Sequence, residues 1–85
     1  MPVTYEHDIR PKFRTRDINC MTPRGYPIGD AQWMCDPAAG NDFADHGNAR
    51  LVFSVLSAGQ MPPDGTWSQD WLDTYQAWMA GGFQA

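Results

Sequence analysis

Apolar positions follow a helical rhythm in two stretches of the second half of the chain. Leu51, Val52, Val55 and Leu56 fall at i, i+1, i+4 and i+5, the spacing of a stripe buried along one side of a helix. This predicts a helix that starts at Phe43 or Asn48 and runs to Ala58, with Gly59 as its stop. Trp71, Leu72, Tyr75, Trp78 and Met79 form a second apolar face, predicting a helix over Ser68 to Ala80. Ser68 is a good N-cap, Trp67 and Leu72 suit a hydrophobic staple around it, and Gly81 and Gly82 end the helix. A shorter helix is predicted over Asp8 to Asp17, with Asp8 as N-cap, Pro11 in the first turn, and Ile9 and Phe13 four apart on one face.

Between the first and second helices the pattern breaks down. Met21 to Asn41 carries Pro23, Pro27 and Pro37 with Gly25, Gly29 and Gly40, which forbid a long regular element. We read a long Gly/Pro-rich loop there with one short helical turn near Ala31 to Met34. The run "QMPPDGTW" before the last helix reads as an extended turn. No strand-like alternation, repeat or low-complexity run interrupts this picture. The chain is expected to be all-α, a single domain over residues 1–85.

Composition narrows the function. Apolar residues make up 42% of the 85 and aromatics 13%, with four tryptophans. That suffices for a packed core, although a chain this short buries only roughly 60–65% of its unfolded surface. The net charge of −4 excludes nucleic acid as an expected partner, because phosphate binding needs a basic face. Arg10, Lys12, Arg14, Arg16 and Arg24 cluster in the first third, as a solvated helix face or as a docking patch for an acidic partner. No apolar run approaches the length of a membrane span, and "MPVTYEHD" has no signal-peptide pattern. The expected compartment is the cytoplasm, or the periplasm if a leader has been removed.

Two motifs, taken in order, carry a resemblance. "YEHDIRPKFRTRDINCM" and "LSAGQMPPDGTWSQDWLDTYQAWMAGGF" together resemble the opening and the tail of small class I cytochrome c domains. In that family an Asp-Ile-x-Pro helix runs into Cys-x-x-Cys-His, and a Gly-x-Met-Pro-Pro turn supplies the second axial ligand of the haem iron. The resemblance places Asp17 on the first cysteine, Cys20 on the second, Met21 on the histidine and Met61 on the axial methionine. It covers roughly residues 4 to 83 and implies a small three-helix cytochrome c-like fold.

The departures decide what that resemblance implies. Asp17 cannot form a thioether, Met21 offers only a weak ligand in place of histidine, and no export signal is visible. "DINCM" therefore reads as a lost haem site in a retained fold, with no cofactor expected. An emptied haem cavity would be costly, at about 24 cal/mol per Å³ of void. Tyr26, Trp33 and Trp67 are the expected fillers. The expected function is a haem-free, non-catalytic accessory, maturation or interaction subunit, with another protein, a redox enzyme, as partner. By analogy with the exposed haem edge of the resembled family, its docking face would comprise Arg16, Met21, Pro23, Arg24, Met61, Pro62 and Pro63 around Cys20. A basic rim around an apolar centre suits protein binding.

Two readings of other classes stay open. One is an electron carrier that holds haem non-covalently or through Cys20 alone, with Met61 and His46 as axial ligands. The other is a soft-metal (copper) carrier built from Cys20, Met21, Met34 and Cys35, with Met61, His7 and His46 elsewhere, since thiolate and thioether sulfur favour Cu(I). Methionines packed in a core with inert thiols would account for the same residues. Cys20 and Cys35 either form a disulfide worth roughly 3 kcal/mol or stay as free thiols in a reducing compartment. His46 in "DFADHGN" and His7 read as surface or capping residues, and Asp42, Asp45, Asp64, Asp70 and Asp73 as caps of turns and helix starts. No paired-acid, Ser/His/Asp or Cys/His arrangement and no phosphate loop can be argued, so no enzyme active site is expected.

Overall fold

A computed structural model describes residues 3–59 and 67–85. Its first element begins earlier than the sequence pattern suggests. Thr4 is in the extended region and its hydroxyl accepts the His7 amide. The Asp8 carboxylate reaches back to the Thr4 amide at 2.9 Å. Asp8 thus serves the cap from inside the turn, where the sequence made it the N-cap itself. The backbone over Tyr5–Ile9 forms a π-helical turn, continued by a 3-10 turn over Arg10–Lys12 that carries Pro11 near its start.

There the helix stops. Phe13 and Arg14 are extended, with ψ of 127° and 158°, and a new helix, α1, covers Thr15–Met21. The predicted continuous helix over Asp8 to Asp17 is therefore corrected to two turns, a break and the start of α1. The cause is Asp17. At the third position of α1 its carboxylate accepts the Arg14 amide at 2.9 Å, satisfying one of the amides that any helix start leaves without a partner. A 3-10 turn over Thr22–Arg24 follows and ends at Gly25, whose φ of 93° is open to glycine and strained for other residues.

The short helical turn predicted in the Gly/Pro-rich segment is present as α2, Ala31–Met34, capped by the Asp30 side chain on the Gln32 amide. α3 covers Gly47–Ser57, so its start lies beside Asn48 and not at Phe43. Its N-cap is His46 in the left-handed region, φ 47°. Gly47 is required there: a Cβ would overlap the Gly40 backbone, 2.8 Å from its carbonyl carbon. α4, Gln69–Ala80, begins as predicted at Ser68, whose hydroxyl accepts the Trp71 amide. Gly59 and Gly82 both adopt positive φ at the helix ends. The described residues are all-α, with a single isolated bridge between Gly40 and Phe43 and no named strand among them.

Burial sorts the predicted faces. Val52 and Leu56 of α3 are buried, whereas Leu51 and Val55 are half-buried. On α4, Tyr75 and Trp78 are completely buried, but Trp71 is 41% exposed. The five-residue face is therefore narrower than its spacing suggests, with Trp71 at its rim. Around Trp78 stand Tyr5, Tyr75 and Phe83, at ring-centroid separations of 5.5, 5.1 and 5.3 Å. These tilted and edge-on arrangements suit the ring quadrupoles. α4 packs on α3 and on the π-helical turn, and α2 packs on both of these.

Polar groups inside this core have partners. The Tyr75 hydroxyl donates to the Ala49 carbonyl of α3 at 2.7 Å, and the Tyr5 hydroxyl donates to the Ile28 carbonyl. The Gln84 carbonyl accepts both the Tyr5 amide and the Trp78 indole N–H, each at 2.8 Å. Consecutive left-handed residues, Gly82 (φ 98°) and Phe83 (φ 56°), turn the chain back so that these bonds form.

Candidate functional site

The residues singled out from the sequence fall into four neighbourhoods. The first is α1. Asp17 is 6% exposed, and its carboxylate takes the Arg14 guanidinium through Nε at 3.0 Å and Nη2 at 2.9 Å, in addition to the backbone amide. A buried carboxylate is tolerated because it is paired and hydrogen-bonded. Cys20 is exposed and Met21 packs against the core. Arg16, Pro23 and Arg24 are exposed beside them. Met61, Pro62, Pro63 and Asp64 lie outside the described residues, as does the predicted extended turn up to, but not including, Trp67.

The second neighbourhood is the start of α3. The His46 ring stacks on Phe83 with centroids 3.8 Å apart and planes within 5°. Its Nδ1 lies 2.7 Å from the Asp45 carboxylate. Arg50 reaches the same carboxylate at 3.2 and 3.3 Å and the Asp45 carbonyl at 3.0 Å, with its guanidinium over the Phe83 ring. The hydrogen bond from His46, then that from Arg50, hold Asp45 below the ordinary carboxylate range. Sequence reading gave His46 a surface or capping role and gave Asp45 a turn. The structure assigns both to one network at the N-cap of α3. Its only sequence signal is an acid and an arginine flanking a helix start.

Of the groups that a c-type haem would need, this chain supplies a poor set. At the positions where the resemblance would put one cysteine and the proximal histidine stand a carboxylate paired with Arg14 and a thioether packed against the core. One face of His46 is covered by Phe83 and one ring nitrogen is engaged by Asp45. These donors do not fit a covalently held haem, because thioether bonds need two cysteines and the iron needs a strong axial base.

The third neighbourhood holds the aromatic residues expected to fill space. Trp67 is buried, with its ring 5.1 Å from Phe13, 5.3 Å from Trp71 and 6.1 Å from Tyr75. Tyr26 and Trp33 meet edge-on at 6.4 Å and pack against the core from outside. Basic side chains of the first third are drawn into this packing: Lys12 lies over the Trp71 ring at 5.1 Å, and Arg10 donates to the Gly29 carbonyl at 3.1 Å. The cluster read from the sequence as one face is thus dispersed over separate structural roles.

The fourth is the C-terminal end of α2. Met34 is fully buried and Cys35 half-buried. Burial, then the charge of Glu6, pushes the Cys35 thiol up, so it stays neutral at physiological pH. Cys20 and Cys35 are both free thiols, one on the solvent side of α1 and the other tucked against the core. Among the described residues no three His, Cys, Asp or Glu side chains converge as a metal site requires. Beside Cys35 opens a groove of about 640 Å³, walled by Trp33 and Pro37 and flanked by Asp30 and Asp36. Nothing in the apolar pattern points to it. Two acids placed either side of a four-residue helix are its signal in the sequence.

No described helix is long and apolar enough to cross a membrane. The chain matches no protein-family model, no curated protein and no solved structure.

Proposed function

We propose that this chain is a haem-free cytochrome c-like module that acts by binding another protein, as a non-catalytic accessory or maturation subunit of an oxidoreductase. The observation that carries the reading is Asp17. Where the resembled family attaches its cofactor, this chain has a buried carboxylate that holds the start of α1. A residue engaged in this way is part of the fold, and the interior is packed by Tyr5, Trp67, Tyr75 and Trp78. On this reading the domain holds no cofactor and catalyses nothing, and it works through its surface. The face proposed for docking includes Arg16, Met21 and Arg24; Met61, Pro62 and Pro63, which the sequence also named for it, lie outside the described residues. Exposed Arg16 and Arg24 supply its basic rim.

Absorption spectroscopy and a thermal melt with and without added hemin test the haem-free reading. The expected protein is colourless, melts cooperatively and is unmoved by hemin. A Soret band in the purified protein, or a melt that becomes cooperative only with hemin, overturns it in favour of an electron carrier. Copper in elemental analysis would favour the soft-metal reading. Charge reversal at Arg16 and Arg24 tests the docking face. The variant is expected to fold as the parent and to lose partners that co-purify at low salt.

A further inference from the structure

The groove at the end of α2 has a composition that none of the readings above uses. We propose that it is a binding site for an arginine side chain presented by a basic peptide segment of a protein partner. The open groove is about 640 Å³, and no Lys or Arg is among the residues that line it. Two of those residues are acids, Asp30 and Asp36. Each uses Oδ1 to accept a backbone amide at 2.9 Å, Gln32 for Asp30 and Ala38 for Asp36. Both carboxylates are thereby fixed in place, and a carboxylate has about four lone-pair positions to offer, so each retains acceptor capacity.

Trp33 lines the same groove and is braced edge-on by Tyr26. Its main-chain carbonyl is held by the Asn48 side chain of α3 at 3.0 Å. A tryptophan face held this way is the best aromatic surface for a cation, and guanidinium combines stacking on such a ring with forked hydrogen bonding to carboxylate. Lysine, a compact and strongly hydrated point charge, would gain less from this arrangement. Cys35 contributes a neutral thiol to the wall, Asp30 and Asp36 contribute the side-chain carboxylates, and Ala85 lines the groove as well. Glu6, whose charge is felt at Cys35, and a chain net charge of −4 steer a basic segment toward this end of the molecule. The proposal does not depend on the fate of the haem site, and its charge sign is opposite to that of the Arg16 and Arg24 face.

The probe is a capped Gly-Arg-Gly-Arg-Gly peptide, titrated into the isotopically labelled full chain and followed by NMR. Saturable shifts are expected at the Trp33 indole and at the Gln32 and Cys35 amides. The Asp30→Asn/Asp36→Asn variant keeps both side-chain caps and removes both charges. It should weaken binding about tenfold, and Trp33→Leu should weaken it several-fold. Asp70→Asn/Asp73→Asn removes the same charge from exposed positions on α4 and should weaken binding no more than about twofold. The matching lysine peptide should bind more weakly. Equal weakening by the α4 pair, shifts spread over all exposed acids, or full binding by Asp30→Asn/Asp36→Asn would each overturn the proposal. Circular dichroism of each variant confirms that the helices persist.

Discussion

The α3–α4 pair and the segment from Thr4 to Gly25 are both helical, yet different forces hold them. α3 and α4 are two of the longest elements, and they meet through buried rings and aliphatic side chains, with one hydroxyl bond from Tyr75 crossing between them. The N-terminal segment is four short pieces. Each is too short to be stable alone, since isolated helices shorter than about 12 residues are marginal in water. Side chains on backbone set their boundaries: Thr4, Asp8 and Asp17 at the starts, and the Thr22 hydroxyl on the Ile18 carbonyl at the end of α1. One region is specified by apolar periodicity, the other by where amides find acceptors.

That contrast can be broken by experiment. The largest effect should come from Trp78→Ala, which empties the space between Tyr5, Tyr75 and Phe83 and leaves the Gln84 carbonyl with one donor fewer. A loss of about 3–5 kcal/mol in denaturant unfolding is expected, enough to unfold a domain of marginal stability. Asp17→Ala should cost about 1–2 kcal/mol through the lost helix start and the Arg14 pairing. If Asp17→Ala were as damaging as Trp78→Ala, the N-terminal caps would rank with the core and the contrast would fail.

Tyr75→Phe should cost about 1 kcal/mol near neutral pH, and it sharpens the picture at high pH. Burial, as the largest cause, raises the ionisation of Tyr5 and Tyr75 above the ordinary tyrosine value. A raised folded-state value means that the unfolded chain ionises first. Stability from these groups is therefore complete below about pH 10 and falls as pH rises beyond it. Tyr75→Phe should reduce the steepness of that alkaline loss. The smallest effect belongs to Asp45. Its folded-state value is depressed, so its contribution is present above about pH 4 and fades as pH falls through the lower folded value. Asp45→Asn should flatten that acid limb slightly in a pH series of melts.

The same contrast explains what could be read from the sequence. The all-α class, the end of α3 and both ends of α4 follow from apolar spacing, Ser68 and the glycines after those two helices, because a buried stripe repeats and repetition is visible. The break at Phe13 and Arg14 was hidden. Asp17 looked like the end of a helix when it is the third residue of the next one, and a single carboxylate accepting an amide leaves no periodic trace. Trp71 looked buried because spacing ignores how wide a facing surface is. At the candidate sites, Cys20, Cys35 and His46 could be named but not placed. The Asp45–His46–Arg50 network depends on a left-handed backbone residue, and the groove depends on a fold that brings Asp30, Trp33, Asp36 and Ala85 around one opening.

The double acceptor at Gln84 has a consequence for the order in which the molecule assembles. Its bond to the Tyr5 amide joins residues separated by nearly the whole chain, and the neighbouring Glu6 amide bonds to the Ala85 carbonyl. α3 and α4 can pair after closing a short loop, whereas the N-terminal turn can dock only once α4 and the turn at Gly82 and Phe83 exist. The two ends are therefore expected to open as a unit, with the Tyr5 and Glu6 amides and the Trp78 indole exchanging together in a hydrogen-exchange measurement.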